Sequence, residues 1–406
     1  MGRRRGVNIL LISQHFAIRG GSDVIVQQTR RLLEAEGHRV HLFAARTGDM
    51  PDDGIYPDAA HFERPRPHTL WRFLYSPQAR ARLEAYLDRH PIDVAHLHIH
   101  YGTLTSAILK PLQRRGIPIL QHLHEYRSFC AVYTATRNGA PCGDCRVGAY
   151  LPGITNRCNQ GSLMRSAVTT AEMYVADRLG AKSAPARFLT VSQFQRRLIV
   201  GQGLPGARVQ TLYNPVDPLF FTVDAATVPA RQGIVFVGRL ERYKGVFDLL
   251  EVAERLPGIP VTLIGTGSEE AALRQRIVDR GLGHVTLCGS LARTEVARQI
   301  ARHRVMVVPS RWHETFGLTA VEGMAVGVPV VVTDMGGLPE VVEDGVSGLV
   351  VRAGDLDAMT ACLAELATGS ERAAVMGQAA RHRARTVFSE TRFVTDLTAH
   401  FAQLAA

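Results

Sequence analysis

Two glutamates in one short stretch have the residue type and spacing to hold a ligand. The stretch SRWHETFGLTAVEG spans residues 310–323 and places Glu314 just before an expected helix and Glu322 inside that helix. The first turn of a helix presents backbone N–H groups without intrahelical partners, and it favours negative charge. The pair is therefore consistent with charges that cap a solvent-exposed helix, or with two carboxylates that grip one ligand.

Two cations in FVGRLERYKG (236–245) are candidates to meet a negatively charged ligand. Arg239 and Lys244 follow an expected strand and stand on the loop that leads into a helix. Cations at the carboxyl end of a strand, beside a helix N-terminus, are well placed to neutralise a diphosphate. A solvated pair of surface cations fits the sequence equally well.

The N-terminal half contributes a glycine pair and a histidine. Gly20 and Gly21 directly precede an expected helix, where backbone N–H groups can approach an anion or a sugar, although a plain turn fits as well. In QHLHEYRSFC, His122 and His124 share one face of a strand, and only His124 stands at its carboxyl tip. We therefore select His124 as the site candidate. The histidines of HLHIHYG are interpreted as packing or rim residues: His96, His98 and His100.

Four cysteines fall within residues 130–158, a stretch rich in Gly, Pro and Asn. Cys142 and Cys145 have the spacing of a metal knuckle, and Cys130 and Cys158 would complete a tetrathiolate. The spacing matches no standard zinc finger, and a reducing cytosol disfavours disulfides. The sequence leaves open a structural zinc site, an iron–sulfur site or a loop without metal. The other two cysteines are expected in the core: Cys288 and Cys362.

Two further motifs are better explained by local structure than by a ligand. Asp355 and Asp357 form an Asp-x-Asp, but they open an expected helix, where carboxylates cap and stabilise the dipole. Gly265 and Gly267 begin a dinucleotide-binding pattern whose third glycine is replaced by Glu270. We expect these glycines to serve a tight strand-to-helix turn.

Composition indicates an ordinary globular protein with anionic partners. The chain has 406 residues, 46% hydrophobic and 21% charged, and a net charge of +10. This balance favours phosphorylated ligands or acidic lipid head groups, although plain solubility explains it as well. No nucleic-acid-binding motif accompanies the charge, so no nucleic acid partner is expected. No apolar run approaches membrane-span length, and the N-terminus lacks a signal cleavage site, so a cytoplasmic protein is expected.

Short apolar strands alternate with helical stretches along the whole chain. Near-continuous apolar strands with helices between them predict parallel sheets covered on both faces. The rhythm restarts after a proline-marked connection, which predicts an α/β protein with two doubly wound, Rossmann-like domains. The expected divisions are 1–215 with a cysteine-rich insert at about 130–158, 216–388, and a final helix at 389–406 that crosses back to the first domain.

Several motifs together resemble glycosyltransferase family 4, the retaining GT-B enzymes. They include VGRLERYKG, LIGTGSEEAAL, VTLCGSL, the long stretch from VMVVPSRWHETFG to VSGLVV, and GDLDAM, in the order of the family. LYNPVD resembles the stretch that enters the second domain, and the first half matches more loosely through RGGSDVIVQQTRRLLEAEGHRVHLFA and ILQHLHEY. The resemblance implies a GT-B fold with a central cleft.

The resemblance also implies a role for each site candidate. Glu314 would face the donor sugar, and Glu322 would accept hydrogen bonds from the ribose diol. Backbone N–H groups of Phe316, Gly317 and Leu318 would bind the sugar and diphosphate. Arg239 and Lys244 would form the diphosphate clamp. Gly20 and Gly21 would form the N-terminal loop against the donor, and His124 would be the active-site histidine.

The expected activity is transfer of a sugar from a UDP- or GDP-type nucleotide sugar to an acceptor hydroxyl, with retention and without a catalytic metal. The expected acceptor is a glycan or glycolipid intermediate in polysaccharide or glycolipid assembly. Arg3–Arg5 and the stretch 68–87 are candidate contacts with the inner face of a membrane, although a solvated tail and an ordinary surface helix fit as well. Glycosylation of a small-molecule natural product and isomerisation of a nucleotide sugar are the alternatives.

Overall fold

The computed structural model describes residues 6–15, 18, 20–46, 70–228, 231–368 and 371–405. The segment Arg3–Arg5, which the sequence offers as a membrane contact, lies outside these residues, as do His68 and Thr69. No helix among the described residues is both long and apolar enough to cross a membrane.

The first half of the chain forms a parallel sheet of six strands. These strands are β1 (Asn8–Ser13), β2 (Arg39–Ala44), β3 (Val94–Leu97), β4 (Ile119–Leu123), β7 (Arg187–Thr190) and β8 (Val209–Thr211). Their spatial order is β2-β1-β3-β4-β7-β8. All residues of β3 and β4 are buried, because helices cover both faces of the sheet.

Helices follow the strands in the way that parallel crossovers require. Those of the first half are α1 (Gly21–Ala35), α2 (Leu70–Leu74), α3 (Pro77–Leu87), α4 (Leu109–Arg114), α5 (Pro152–Thr155), α6 (Leu163–Arg178) and α7 (Gln193–Gly201). Helix α1 buries Val24, Ile25, Leu32 and Leu33, which recur at helical spacing. Between β4 and α5 the only named strands are two residues long each, β5 (Thr136–Arg137) and β6 (Ala140–Pro141), and they pair as a hairpin.

The second half repeats the same architecture. Its strands are β9 (Ile234–Val237), β10 (Val261–Ile264), β11 (Val285–Leu287), β12 (Val305–Val308), β13 (Val330–Thr333) and β14 (Gly348–Val351). They form a parallel sheet in the order β11-β10-β9-β12-β13-β14. The helices are α8 (Val246–Glu254), α9 (Glu270–Asp279), α10 (Arg293–Arg302), α11 (Leu318–Val326), α12 (Leu338–Val341), α13 (Leu356–Ala367), α14 (Glu371–Val387) and α15 (Glu390–Ala405). The predicted α/β class with two Rossmann-like sheets is confirmed.

The final helix, α15, packs against the first sheet rather than the second. Phe393, Leu397 and Phe401 are at most 2% exposed and join one apolar cluster with residues of the first sheet, among them Ile9 and Leu120. The first strand and the last helix of the described residues therefore lie in the same half of the molecule, and this contact ties the two halves together.

One local expectation needs correction, and one strand is not evident from the sequence. The stretch 68–87 does not form one continuous helix, because Pro77 starts α3 anew and Ser76 caps it by accepting from the N–H of Ala79. The apolar side of α3 is buried in the core through Ala79 and Leu83, so it is not free to contact a membrane. Strand β14 has no clear sequence signal, because its short sequence, GLVV, follows a turn without alternation.

The motifs assigned to local structure behave as expected. Asp355 caps α13 by accepting from the N–H of Ala358 at 2.9 Å. A Cβ on Gly265 would lie 1.9 Å from the carbonyl oxygen of Gly238, and one on Gly267 would lie 2.3 Å from that of Leu240. These glycines allow the loops after β9 and β10 to touch, and this contact fixes the loop that carries Arg239.

Replacement of Phe401 tests the importance of α15. Phe401→Ala removes a 1% exposed ring from the cluster on the first sheet and is expected to lower the free energy of unfolding by about 3–5 kcal/mol. Thr395→Ala, on the exposed side of the same helix, is the matched control and should change it by less than about 0.5 kcal/mol. Equal denaturation midpoints for the two variants would show that α15 is not a structural element of the first half.

Candidate functional site

The two sheets meet at a cleft where residues from both halves come within contact distance. A Cβ on Gly21, at the start of α1, would lie 3.5 Å from a methyl carbon of Leu318, at the start of α11. The Tyr126 hydroxyl donates to the carbonyl oxygen of His313 at 3.0 Å. Glu340 accepts from the N–H of Gln193, at the start of α7, at 2.7 Å. The N-termini of α1 and α11 thus face one another across the cleft.

Glu314 is buried beside a lysine from a distant segment. The Lys244 ammonium donates to Oε1 of Glu314 at 2.7 Å, and the Ser310 hydroxyl donates to the same oxygen at 2.5 Å. Burial alone would raise the pKa of Glu314, but the charge and hydrogen bond of Lys244, with help from Ser310, lower it below its ordinary value. Glu314 is therefore an ionised carboxylate, and Lys244 and Ser310 both engage its Oε1.

The backbone around Glu314 is fixed by glycines. A Cβ on Gly336 would lie 2.2 Å from the Glu314 carbonyl oxygen, and the N–H of Gly337 donates to that oxygen at 2.8 Å. Gly317 has a φ of 117°, and a Cβ there would meet Leu338 at 2.6 Å. Only glycine fits at such positions without displacing its neighbours. The segment that carries Glu314 is therefore held tightly against the loop before α12.

Helix α11 begins with backbone N–H groups that no side chain caps. Its N-cap is Gly317, and the preceding Phe316 is 2% exposed, with its ring packed against Tyr213 and Phe388. Burial of the ring anchors the turn, while the backbone continues into Leu318 at the cleft. An uncapped helix N-terminus is suited to an anion or to the hydroxyl oxygens of a sugar.

Glu322 lies on the second turn of α11 and is only 5% exposed. The Arg293 guanidinium, on α10, lies 3.4 Å from Oε1 of Glu322 and also pairs with Asp217 at 3.1 Å. Burial raises the pKa of Glu322 to about 7, against the opposing effect of Arg293. Neither glutamate of the 310–323 stretch is a solvent-exposed capping charge.

Arg239 and Lys244 are brought together by one tyrosine. The Arg239 guanidinium lies over the ring of Tyr243 at 5.6 Å, and the Lys244 ammonium lies 6.0 Å from the same ring. Lys244 also lies over Trp312 at 5.0 Å. Arg239 is exposed to the cleft, whereas the Lys244 side chain is only 19% exposed. The structure thus places Lys244 against Glu314 and Arg239 on the same tyrosine ring, with the Arg239 side chain exposed.

His124 stands at the carboxyl end of β4 and is supported by a second histidine. Nδ1 of His98 and Nε2 of His124 are 2.7 Å apart, and the two rings are nearly parallel. Burial lowers the pKa of His124 to about 4, so its imidazole is neutral near pH 7. One ring donates and the other accepts, which fixes the orientation of His124.

His98 also belongs to a row of three buried imidazoles, with His96 and His122. The sequence predicts packing or rim positions for His96 and His98. Potential ligand atoms of His96, His98 and His122 lie within 4.8 Å of one another. Burial and the neighbouring imidazoles lower the pKa of His98 and of His122 well below 6.5. His96 contacts Phe401, and His122 contacts Phe393, so α15 covers the row.

A cavity of about 850 Å³ opens in the cleft next to these residues. Most of its lining comes from the first half, including Glu125, Arg127 and the loop around Arg137, while Arg239 and Tyr243 close it from the second half. Of the predicted site residues outside the cysteine group, Arg239 alone lines this cavity, so Glu314, Lys244 and Glu322 belong to an adjoining region. The proposed partners of Arg239 in the sequence analysis therefore lie outside the cavity that Arg239 lines.

Sequence reasoning missed several residues of the site. Arg293, Ser310 and Gly336 touch the two glutamates, but each comes from another part of the chain or carries no motif of its own. Glu125 follows His124 directly, and burial raises the pKa of its carboxyl to about 7, opposed by Arg127. The sequence feature that points to Glu125 is its position as a polar residue directly after the end of a strand.

The chain matches known proteins over nearly its whole length. Residues 19–219 match the family described as Glycosyltransferase Family 4, and residues 227–383 match Glycosyl transferases group 1. A D-inositol 3-phosphate glycosyltransferase of Mycobacteroides abscessus is 37% identical over 377 residues, which cover 88% of this chain and 80% of the relative.

Solved structures share the fold. Sucrose-phosphate synthase of Thermosynechococcus elongatus superimposes with a TM-score of 0.73 at 21% identity, covering 98% of this chain and 99% of that one. Anabaena HepE in complex with UDP-glucose gives a TM-score of 0.67 at 17% identity, with coverage of 98% and 99%. The chain belongs to glycosyltransferase family 4 and is a glycosyltransferase of the GT-B fold.

Proposed function

We propose that the protein is a retaining glycosyltransferase that moves a sugar from a UDP- or GDP-type nucleotide-diphosphate sugar to an acceptor hydroxyl. The observation that carries the proposal is the contact of Lys244 with Glu314, directly before the uncapped N-terminus of α11. A cation, a carboxylate and free N–H groups at one point match the phosphates and hydroxyls of a nucleotide sugar.

The 310–323 stretch then spans most of the donor. Glu314 has one oxygen bound to Lys244 and Ser310, which leaves the other for a sugar hydroxyl. The N–H groups of Phe316, Gly317 and Leu318 meet the sugar and diphosphate. Glu322 accepts from the two ribose hydroxyls, and Arg293 opposes the effect of burial on its carboxylate. Gly20 and Gly21 close the donor region from the opposite half, which agrees with the short distance between Gly21 and Leu318.

Stabilisation of the leaving group is the main chemical task. Cleavage of the sugar–phosphate bond leaves negative charge on the nucleotide diphosphate and positive character on the sugar. Arg239 and Lys244 supply fixed positive charge at the diphosphate, and the dipole of α11 adds to it. The acceptor hydroxyl attacks the same face from which the phosphate departs, and the leaving phosphate takes its proton. The protein's own cations therefore carry the charge stabilisation.

His124 faces the reacting sugar as a neutral hydrogen-bonding group. Its Nε2 is engaged by His98, so Nδ1 is the ring nitrogen that remains for a sugar hydroxyl. A neutral imidazole avoids adding positive charge beside the developing oxocarbenium ion, and burial favours that state by lowering the pKa of His124. His98 acts as its positioning residue.

The cavity of about 850 Å³ is the proposed acceptor site. It has room for one or two sugar rings and is lined by polar and charged groups, including Glu125 and Arg127. The relative from Mycobacteroides abscessus is named for an inositol phosphate substrate, which supports a polyhydroxylated acceptor. We place the reaction in the assembly of a polysaccharide or glycolipid at the inner face of a membrane.

A ligand screen with product analysis tests the function directly. Intact UDP-, GDP- and dTDP-sugars are compared by thermal shift, since a ligand of the folded state raises its stability. One nucleotide class should stabilise the protein, and the anomeric configuration of the transferred sugar, read by NMR, should equal that of the donor. Absence of stabilisation by all three classes, an inverted product, or isomerisation without an acceptor would contradict the proposal.

Removal of either diphosphate cation should nearly abolish turnover. Arg239→Ala and Lys244→Ala are each expected to lower kcat/KM by about 100- to 1000-fold, because they remove charge at the leaving group. Arg242→Ala, an exposed cation on the same loop that pairs with Glu269 at 3.5 Å, is the matched control and should stay near wild type. Lys244→Ala also leaves Glu314 unpaired, so the unfolding midpoint of each variant is measured alongside. Wild-type turnover in Arg239→Ala would contradict the proposal that Arg239 and Lys244 clamp the diphosphate.

The fixed backbone at Glu314 can be tested with a pair of glycines. Gly336→Ala places a Cβ against the Glu314 carbonyl at a φ of 70°, whereas Gly345→Ala has a φ of 74° and no heavy atom within 4 Å. Both substitutions carry a left-handed backbone cost of about 1–2 kcal/mol. Gly336→Ala alone should also reduce kcat/KM by about tenfold or more, because it displaces the donor carboxylate. Equal activity of both folded variants would contradict this role.

The raised pKa of Glu322 predicts a pH dependence of donor binding. The ribose diol requires the carboxylate, so affinity for an intact nucleotide sugar should rise as the pH increases through about 7. The diphosphate diester of the donor does not titrate in this range. The contribution of Glu322 to folding stability runs the other way: it is present below its ordinary pKa of 4.5 and is lost as the pH rises through about 7.

Calorimetric titrations from about pH 6 to pH 8 measure how the affinity for the nucleotide sugar changes with pH around the pKa of Glu322. Glu322→Gln serves as the control, because its side chain cannot ionise, and it should show weaker binding with little dependence on pH. The same pH slope in Glu322→Gln and wild type would assign the titration to another group.

A further inference from the structure

The cysteine-rich segment brings its four cysteines to one place. Cys130, Cys142, Cys145 and Cys158 all line a single cavity of about 20 Å³, and none of them forms a disulfide. A cavity of this size holds about one small atom or ion. The four residues come from three separate parts of the segment, so the convergence results from folding and not from sequence proximity alone.

Backbone N–H groups face two of the sulfur atoms. Those of Val132 and Ala135 donate toward the sulfur of Cys130. The N–H of Asp144 donates toward the sulfur of Cys142, two residues earlier in the chain. Donation from such N–H groups partly neutralises a thiolate and orients it, as second-shell contacts of metal ligands do.

The segment contains little regular secondary structure. Between β4 and α5 the structure contains only the two-residue strands of the β5–β6 hairpin. Five of the six described non-glycine residues with positive φ fall in residues 133–160: Tyr133, Ala135, Asn138, Arg157 and Gln160. Left-handed conformations at such residues cost free energy, so a cross-link that stabilises the segment would offset that cost.

The buried imidazoles are a weaker alternative for a metal. His96, His98 and His122 already lie within 4.8 Å of one another, and no three of the cysteine sulfurs meet that distance. However, three neutral ligands would leave a dication uncompensated in the core beneath α15, which is costly. Thiolates supply their own negative charge, and rotation of their side chains about the Cα–Cβ bonds can draw the sulfurs inward.

We propose that Cys130, Cys142, Cys145 and Cys158 bind one zinc ion as a tetrathiolate. Each thiol loses its proton to solvent as its sulfur bonds to the ion, and no electron transfer is involved. A cavity that holds one ion favours zinc over an iron–sulfur cluster, which is several atoms across.

The bound ion would fix one wall of the proposed acceptor site. Ala131, Thr136, Asn156 and Cys158 line both the small cavity and the cavity of about 850 Å³. The ion is therefore structural and acts on the acceptor side of the cleft. Its loss should weaken the segment and leave the donor region in place.

Metal analysis of the intact full-length chain tests the proposal. Protein purified without chelator or metal-affinity resin is passed through gel filtration, and its zinc is measured by mass spectrometry. About one zinc per chain should be found, and a thiol-blocking mercurial should release it to a chromogenic indicator. Chain stripped of metal under reducing conditions should take up the same amount from added zinc and should melt at a higher temperature with zinc than without.

Single variants locate the ion. Cys142→Ser and Cys158→Ser should retain little zinc, while Cys288→Ser and Cys362→Ser, in the remaining two cysteines, should bind it as wild type does. Should Cys142→Ser or Cys158→Ser fail to fold, uptake and mercurial release by the wild-type chain still decide the matter. The proposal is overturned by no zinc uptake, by disulfides in the reduced-and-alkylated mass map, by iron with acid-labile sulfide, or by undiminished zinc in Cys142→Ser.

Discussion

The ion pair between Lys244 and Glu314 is the constraint on which the rest of the site depends. A carboxylate that is 7% exposed is costly in the protein interior unless a partner compensates its charge. Lys244 provides that charge from the loop after β9, and Ser310 adds a hydrogen bond from the end of β12. The pair thereby joins two neighbouring strands of the second sheet and sets the position from which α11 begins. The glycines at 317 and 336 are needed because this segment has no room to move.

Glu314 and Glu322 are both buried, yet their pKa values are shifted in opposite directions. Lys244 contacts Glu314 directly, and the pKa of that carboxyl is lowered despite burial. Arg293 lies farther from Glu322 and is shared with Asp217, so burial prevails and the pKa of Glu322 rises to about 7. One carboxylate is thus permanently charged next to the proposed sugar and diphosphate, and the other responds to pH next to the proposed ribose. A single helix N-terminus separates the two environments.

The fold could be predicted from the sequence because its signals are local. Buried strands such as those at Ile234 and Val305 read as apolar runs, and the helices between them force parallel crossovers. Pro77 is a local signal for the start of a new helix, and the interpretation of 68–87 as one amphipathic stretch did not use it. Strand β14 gave too short and too uniform a pattern to recognise.

The site could be predicted only where a motif carries it. Glu314 and Glu322 stand in one stretch, so their spacing was visible in the sequence. The contacts of Lys244, Arg293 and Gly336 with that stretch depend on how separate segments fold together, and no spacing rule encodes them. The support of His124 by His98 likewise arises because β3 and β4 are neighbours.

The cleft divides the proposed chemistry between the two halves of the molecule. The second half presents charge and N–H groups to a donor, while the first half contributes a neutral histidine and most of the adjoining cavity. A crystal structure with a non-transferable nucleotide-diphosphate sugar measures this division most directly. The account predicts the diphosphate at Lys244, Arg239 and the N-terminus of α11, with the ribose on Glu322. A nucleotide bound instead in the cavity lined by Glu125 and Arg127, with Glu322 free of ligand, would contradict it.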